Sequence, residues 1–181
     1  MLRAAKITDV PAIQGIINSH AGLGKMLFKS FAQLYENLRD FAVYDIGTPE
    51  SPRVVGCVAL SIIWADLAEV RSLAVDREHI GRGIGKQLVL WCVEEARRVG
   101  IRKLMALTYE ETFFRKLGFE VVEKESLPLK VWTDCVKCPK QNHCDEIAVI
   151  RELLDVPHVM APTAIPTPRG VSIPVLDYSE D

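Results

Sequence analysis

The chain has 181 residues, 49% of them apolar and 25% charged, which suits one domain with a proper core and falls short of two. A net charge of −2 argues against nucleic-acid binding, which shows as a basic excess. No run has the unbroken apolar length of a membrane span, and residues 1–6 lack the apolar stretch and cleavage site of a signal peptide. Five cysteines, an odd count, preclude complete internal pairing and fit a reducing compartment, so a cytoplasmic chain is expected.

Residues 2–6 read as a first strand. Thr8 or Asp9 can cap the helix that follows, with Pro11 in its first turn and Ile13, Ile16 and Ile17 on one stripe, ended by Gly22 and Gly24. A second helical stretch over residues 29–39 carries Phe31, Leu34, Tyr35 and Leu38 at helical spacing. A strand is expected at 41–46, a turn at 47–52, and a hairpin from the β-rich runs 53–64 and 67–75 around Ala65-Asp66. The longest helix is expected over 83–98, followed by a strand at 103–107, a short helix near 110–117, and strands at 119–123 and 147–150. Pro157, Pro162, Pro166, Pro168 and Pro174 crowd the end, so residues 1–154 read as the domain and 155–181 as a proline-rich tail, either flexible or laid over its surface.

The segment with the most chemistry runs from Val70 to Lys86. There a strand leads into Ile80-Gly81-Arg82-Gly83-Ile84-Gly85-Lys86, which opens an amphipathic helix. Glycines let backbone N–H groups approach a ligand, and the helix start adds its positive dipole end, a combination suited to pyrophosphate. Arg82 and Lys86 lie in that first turn, where a cation is disfavoured by ~0.3–1 kcal/mol unless an anion binds there. Solvated basic residues at a plain helix start are the alternative. A Walker loop is excluded by the absence of Gly-x-x-x-x-Gly-Lys-Ser/Thr, and a dinucleotide fold by a glycine loop that follows a hairpin midway along the chain.

This loop resembles the acetyl-CoA motif of the GNAT N-acetyltransferases, Gln/Arg-x-x-Gly-x-Gly/Ala. Gly83 and Gly85 match its glycines, and Ile80 stands where Gln or Arg is usual. Residues 113–120, Phe-Phe-Arg-Lys-Leu-Gly-Phe-Glu, resemble the family's second signature. The stretches 26–30, 33–36, 69–75 and 107–114 are similar to the short, stand-alone N-acetylglutamate synthases, which acetylate the α-amine of L-glutamate at the entry to arginine synthesis. The resemblance implies an α/β (α+β) GNAT fold: a mixed, mostly antiparallel sheet, splayed near residues 73–75, with helices on both faces. It also implies acetyl-CoA as cosubstrate, held by Leu73, Ala74, Val75, residues 80–86 and Phe114.

Strict alternation places Glu69, Arg71 and Leu73 on one strand face and Ala68, Val70, Ser72 and Ala74 on the other. One strand can thus present a base and a carboxylate clamp, since Arg binds carboxylates bidentately. Alternatively, Glu69 and Arg71 pair with each other on a wet face, worth ~0–1 kcal/mol. The matching position in N-acetylglutamate synthases is a proposed base, so the resemblance implies Glu69 as general base. Arg71, with Ser72, is the candidate acceptor ligand on this strand, and Lys29 is a second candidate carboxylate ligand, against an isolated, solvated lysine. Phe114 replaces the tyrosine that protonates the leaving thiolate in many GNAT enzymes, leaving Thr108, Tyr109 or water for that proton. A thiol pKa near ~8.5 makes thiolate a competent leaving group in any case.

Cys135-x-x-Cys138 with Cys144, and His143 or a distant residue as a fourth ligand, reads as part of a structural zinc site, against free loop thiols or a redox pair. Cys57 and Cys92 lie in apolar runs and read as core. The expected partner is a small-molecule amine, with no nucleic acid and no membrane, and a homodimer is left open. The rivals are a GNAT enzyme for another amino acid, a polyamine or a protein N-terminus, a non-catalytic acyl-CoA-binding regulatory module, and a metal-dependent redox or interaction module.

Overall fold

The computed structural model describes residues 1–127 and 145–159. The expected metal ligands Cys135, Cys138 and Cys144, with His143, and the tail beyond residue 159 lie outside the described residues. Among the described residues seven strands form one open sheet: β1 (Leu2–Ala4), β2 (Phe41–Asp45), β3 (Val54–Trp64), β4 (Leu67–Val75), β5 (Lys103–Thr108), β6 (Glu120–Val122) and β7 (Ile147–Glu152). Their order is β1-β2-β3-β4-β5-β7-β6, and every neighbouring pair is antiparallel except β4 and β5. The expected α/β class and the mixed, mostly antiparallel sheet are observed.

Helices cover both faces. The helix α1 (Val10–Ala21) buries Val10, Ile13, Ile16, Ile17 and Ala21, an i, i+3, i+4 stripe that packs with Phe41, Val43, Cys57, Ala59 and Ala74. On the opposite face α3 (Ile84–Val99) buries Ile84, Leu88, Val89, Cys92, Val93 and Ala96 against Val58, Leu60, Ala68 and Val70. A short helix, α4 (Glu111–Arg115), adds Phe114 to this second layer. Cys57 and Cys92 are buried, as expected.

The second helix is shorter than its periodicity suggests. Ser30 forms a capping box: its hydroxyl accepts from the Gln33 N–H at 3.2 Å, and Gln33 Oε1 accepts from the Ser30 N–H at 2.9 Å. Helix α2 therefore starts at Phe31 and ends at Glu36, where the Asn37 side chain donates to the Gln33 carbonyl at 2.8 Å. A 3-10 turn (Leu38–Asp40) completes the segment. Lys29 is left outside the helix, in a connection whose path is set by other residues.

Asp9 does not cap α1. Its carboxylate turns back to accept from the Lys6 N–H at 2.7 Å and from both Arg3 Nη atoms at 2.7 and 2.9 Å. Arg3 also reaches Asp45 Oδ2 at 2.7 Å, and Asp45 Oδ1 accepts from the Gly47 and Arg53 N–H groups at 2.9 and 2.8 Å. Asp9 and Asp45 are 3% and 6% exposed, so this network locks β1 to β2 and to the start of α1 under near-complete desolvation. Burial pushes both carboxyls up, but Arg3 and the backbone donors outweigh it and hold both below the usual range, Asp45 at about 2.

Past Glu152 the chain stays on the domain through residue 156. Asp155 pairs with Arg97 at 2.7 Å, and Val156, buried in the α3-side core, accepts from Arg102 through its carbonyl at 3.1 Å.

Candidate active site

The sheet opens where the parallel pair parts. β4 and β5 are paired only at Leu67–Lys103, Ala68–Leu104 and Glu69–Met105. Beyond these, β5 pairs with β7, and among the described residues no strand pairs with residues 70–75 on the side away from β3. The opening thus begins at Val70, ahead of the expected 73–75. Glu69 stands at its apex.

A bulge explains the divergence. Cys57 pairs with Ala74 and Ala59 with Arg71, so Ser72 and Leu73 together stand opposite Val58. Ser72 takes φ +54°, a left-handed conformation that costs a non-glycine residue about 1–2 kcal/mol. Burial pushes the Cys57 thiol up to about 12, so it stays protonated and donates to the Ser72 carbonyl at 3.7 Å. The bulge breaks the expected alternation. Glu69 and Arg71 face the α1 layer, but Leu73 packs in the α3 layer and Ala74 moves to the α1 side. One inserted residue reverses the parity of every residue after it.

Of the expected coenzyme residues, Val75 shows its backbone to the open edge. The Asp76 N–H bonds the Val55 carbonyl at 2.8 Å on the β3 side, so the neighbouring Val75 peptide groups point the other way. His20 Nε2 meets the Val75 carbonyl there at 2.8 Å, and because a carbonyl only accepts, Nε2 carries the hydrogen. Ala74 has a buried side chain and pairs with Cys57 of β3.

The loop before α3 turns on two left-handed glycines. Gly81 and Gly83 have φ of +83° and +77°, and a Cβ at either would meet nothing within 4 Å. Conformation, not space, demands glycine there. Gly83 is the N-cap of α3 and, as a glycine, offers no side-chain cap to the first N–H groups. Ile80, Arg82 and Lys86 are exposed around it, and Gly85 faces the Phe113 ring. Ile84 points its side chain into the core, leaving only its backbone for a ligand. Phe114 is a core aromatic, edge-on to Phe113 and Phe119 at 5.2 and 5.1 Å between ring centroids.

On the α1 face, Phe41, Ala59 and Arg71 form one cross-strand row, and α2 lies over it. Lys29, Gln33, Leu34, Asn37, Phe41, Arg71 and Ser72 line one open recess. All three expected acceptor ligands therefore meet, although strict alternation had put Ser72 on the other face; its left-handed backbone turns it to the recess. Gln33 and Asn37 were not anticipated, yet their spacing of four and eight residues from Lys29 is a helical signal. Asp40 sits beside Arg71, and burial raises its carboxyl while the Arg71 charge works against that rise.

Thr108 and Tyr109 are both engaged: Thr108 Oγ1 accepts from the Glu110 N–H at 2.9 Å, and the Tyr109 hydroxyl donates to Asp145 at 2.8 Å. No helix among the described residues is long and apolar enough to cross a membrane.

The sequence matches the acetyltransferase (GNAT) family over residues 21–119. The chain belongs to that family. This acetyltransferase is 39% identical over 152 residues to an uncharacterized N-acetyltransferase of Chlorobaculum tepidum, covering 84% of this chain and 96% of that one. It is 35% identical over 138 residues to the amino-acid acetyltransferase of Mycobacterium tuberculosis, covering 74% of this chain and 76% of the relative. Among solved structures, N-acetylglutamate synthase from Neisseria gonorrhoeae complexed with coenzyme A and N-acetyl-glutamate superposes with a TM-score of 0.74 at 26% identity, covering 84% of this chain and 35% of that chain. The enzyme is an acetyl-CoA-dependent acetyltransferase of the amino-acid acetyltransferase kind.

Gly83→Val tests the loop. A β-branched residue at φ +77° costs about 1–3 kcal/mol, or roughly 2–12 °C in melting temperature for a chain of this size. Misaiming the α3 N–H groups is expected to raise the coenzyme A dissociation constant by about tenfold or more. A large fall in melting temperature with affinity retained in the folded fraction would assign the glycine to the fold alone.

Proposed function

We propose that this acetyltransferase transfers the acetyl group of acetyl-CoA to the α-amine of L-glutamate, the reaction that opens arginine synthesis, in the cytoplasm. The observation that carries this reading is the recess on the α1 face of β4, whose lining includes two cationic residues, Lys29 and Arg71, and Ser72. An acceptor with two carboxylates and one amine needs that combination of cations, with a base close by. The complex of the gonococcal synthase with N-acetyl-glutamate supports the same acceptor.

In this mechanism residues 80–86 hold the pyrophosphate on backbone N–H groups, and the pantetheine arm lies along residues 73–75. Arg71 and Lys29 clamp the acceptor carboxylates, which aims the amine toward the apex of the opening. Glu69, at that apex, takes the proton from the ammonium group directly or through one water. Backbone N–H groups at Leu73 and Val75 stabilise the charge that develops on the thioester oxygen as the amine adds. With the Tyr109 hydroxyl donating to Asp145 and Thr108 Oγ1 accepting from the Glu110 N–H, the coenzyme leaves as thiolate or takes its proton from Thr108 or water.

An acceptor screen with acetyl-CoA tests the reading. L-glutamate is expected to exceed L-glutamine, L-aspartate, polyamines and N-terminal peptides by about 100-fold or more in kcat/KM, because each lacks or misplaces a charged partner. A higher kcat/KM for an acceptor without a side-chain carboxylate would overturn the choice of glutamate. Coenzyme binding with no turnover on any amine would favour a regulatory module.

A further inference from the structure

We infer that Asn18 is a positioning residue for acceptor binding, acting through the backbone of Lys29. This rests on the reading of Lys29 as a carboxylate ligand. Lys29 lies between α1 and α2, outside both helices, and its side chain is a flexible stem, so the direction of its charge depends on where its backbone is held. The holding comes from one face of α1. Asn18 Nδ2 donates to the Lys29 carbonyl at 3.2 Å, and Asn18 Oδ1 accepts from the Lys29 N–H at 3.0 Å. One turn earlier, Gln14 Nε2 donates to the same carbonyl at 3.3 Å. The residues are four apart and so lie one above the other on the helix.

The two Asn18 bonds form a closed pair in which one side-chain amide replaces a strand partner for Lys29. They also settle the orientation of that amide, since only one placement of its oxygen and nitrogen satisfies both. Asparagine is a weak helix former, and α1 keeps it where an alanine would suit the helix better. The next residues of the same helix hold the other side of the site. The Ser19 carbonyl accepts from Arg77 Nη2 at 3.2 Å, and His20 donates to the Val75 carbonyl at 2.8 Å. One turn of α1 therefore sets Lys29 relative to the β4 edge, where the acyl group is expected.

The experiment is a cycle of Asn18→Leu, Lys29→Met and the double variant, with Asn18→Asp as a milder change that keeps the acceptor and loses the donor. Asn18→Leu is expected to raise KM for L-glutamate about tenfold and to leave kcat within about twofold and coenzyme A affinity unchanged, a split that general destabilisation does not produce. Asn18→Asp should fall between it and the parent. In the double variant KM should be close to that of Lys29→Met alone, because removing the charge removes what Asn18 positions. An unchanged KM in folded Asn18→Leu, additive losses in the double variant, or a lowered melting temperature without the KM split in both Asn18 variants would overturn the inference. An unchanged KM in Lys29→Met alone would instead remove Lys29 from the acceptor site, and the role of Asn18 with it.

Discussion

Glu69→Gln is expected to lower kcat/KM for the acceptor at pH 7 by about 10²–10⁴-fold, the range a positioned general base supplies. The substitution keeps the size and the polar end of the side chain, so the parallel join at Glu69–Met105 should survive. Coenzyme A affinity should stay within about twofold, because in the proposed mechanism Glu69 acts on the acceptor's proton and the glycine loop proposed to hold the pyrophosphate lies beyond the far end of β4. The deficit should shrink as pH rises toward the amine's own pKa, where neutral amine is already present and little proton removal is needed. A pH–rate profile from 7 to 10 with titrated coenzyme binding reads both quantities. An unchanged rate at pH 7 would take Glu69 out of the mechanism.

The largest stability effect is expected at Arg3→Met. It leaves Asp9 and Asp45 buried with no countercharge, and breaking such a network by removing one partner costs about 3–5 kcal/mol, or roughly 10 °C in melting temperature. The pH dependence identifies the cause. Both carboxyls have folded values below their unfolded ones, so they contribute stability that is present above the usual carboxylate range and is lost as pH falls through the folded values, which for Asp45 is about 2. In Arg3→Met those carboxyls protonate more readily, and a neutral carboxyl needs no countercharge. The gap between parent and variant should therefore narrow from pH 7 to pH 3 in urea unfolding. A gap independent of pH would assign the loss to packing of the arginine stem. The site lies a full helix away, so kcat/KM of the folded variant should change little.

Much of the enzyme was legible in its sequence because the deciding forces are local. The stripe of Ile13, Ile16 and Ile17, the hairpin around Ala65-Asp66 and the long helix after Gly83 follow from apolar period and backbone preference within a few residues. Gly81 and Gly83 could be singled out because a positive φ excludes other residues at small distance along the chain. Glu69 and Arg71 share a face, as alternation alone requires up to the bulge.

Tertiary structure decided the rest. Nothing in Arg71-Ser72-Leu73-Ala74 announces a left-handed Ser72; its pairing with β3 across the bulge does, and that pairing exchanges the layers of Leu73 and Ala74. Capping at Ser30 cut the second helix short and left Lys29 to be held by Asn18, eleven residues away in sequence. The recess joins residues 29–41 to residues 71–72, and His20 meets Val75 across 55 positions. Periodicity says which face of an element is apolar. Which faces meet is decided by long-range pairing and burial, and the place where β4 and β5 part, with Glu69 at its apex, exists only once the whole sheet has formed.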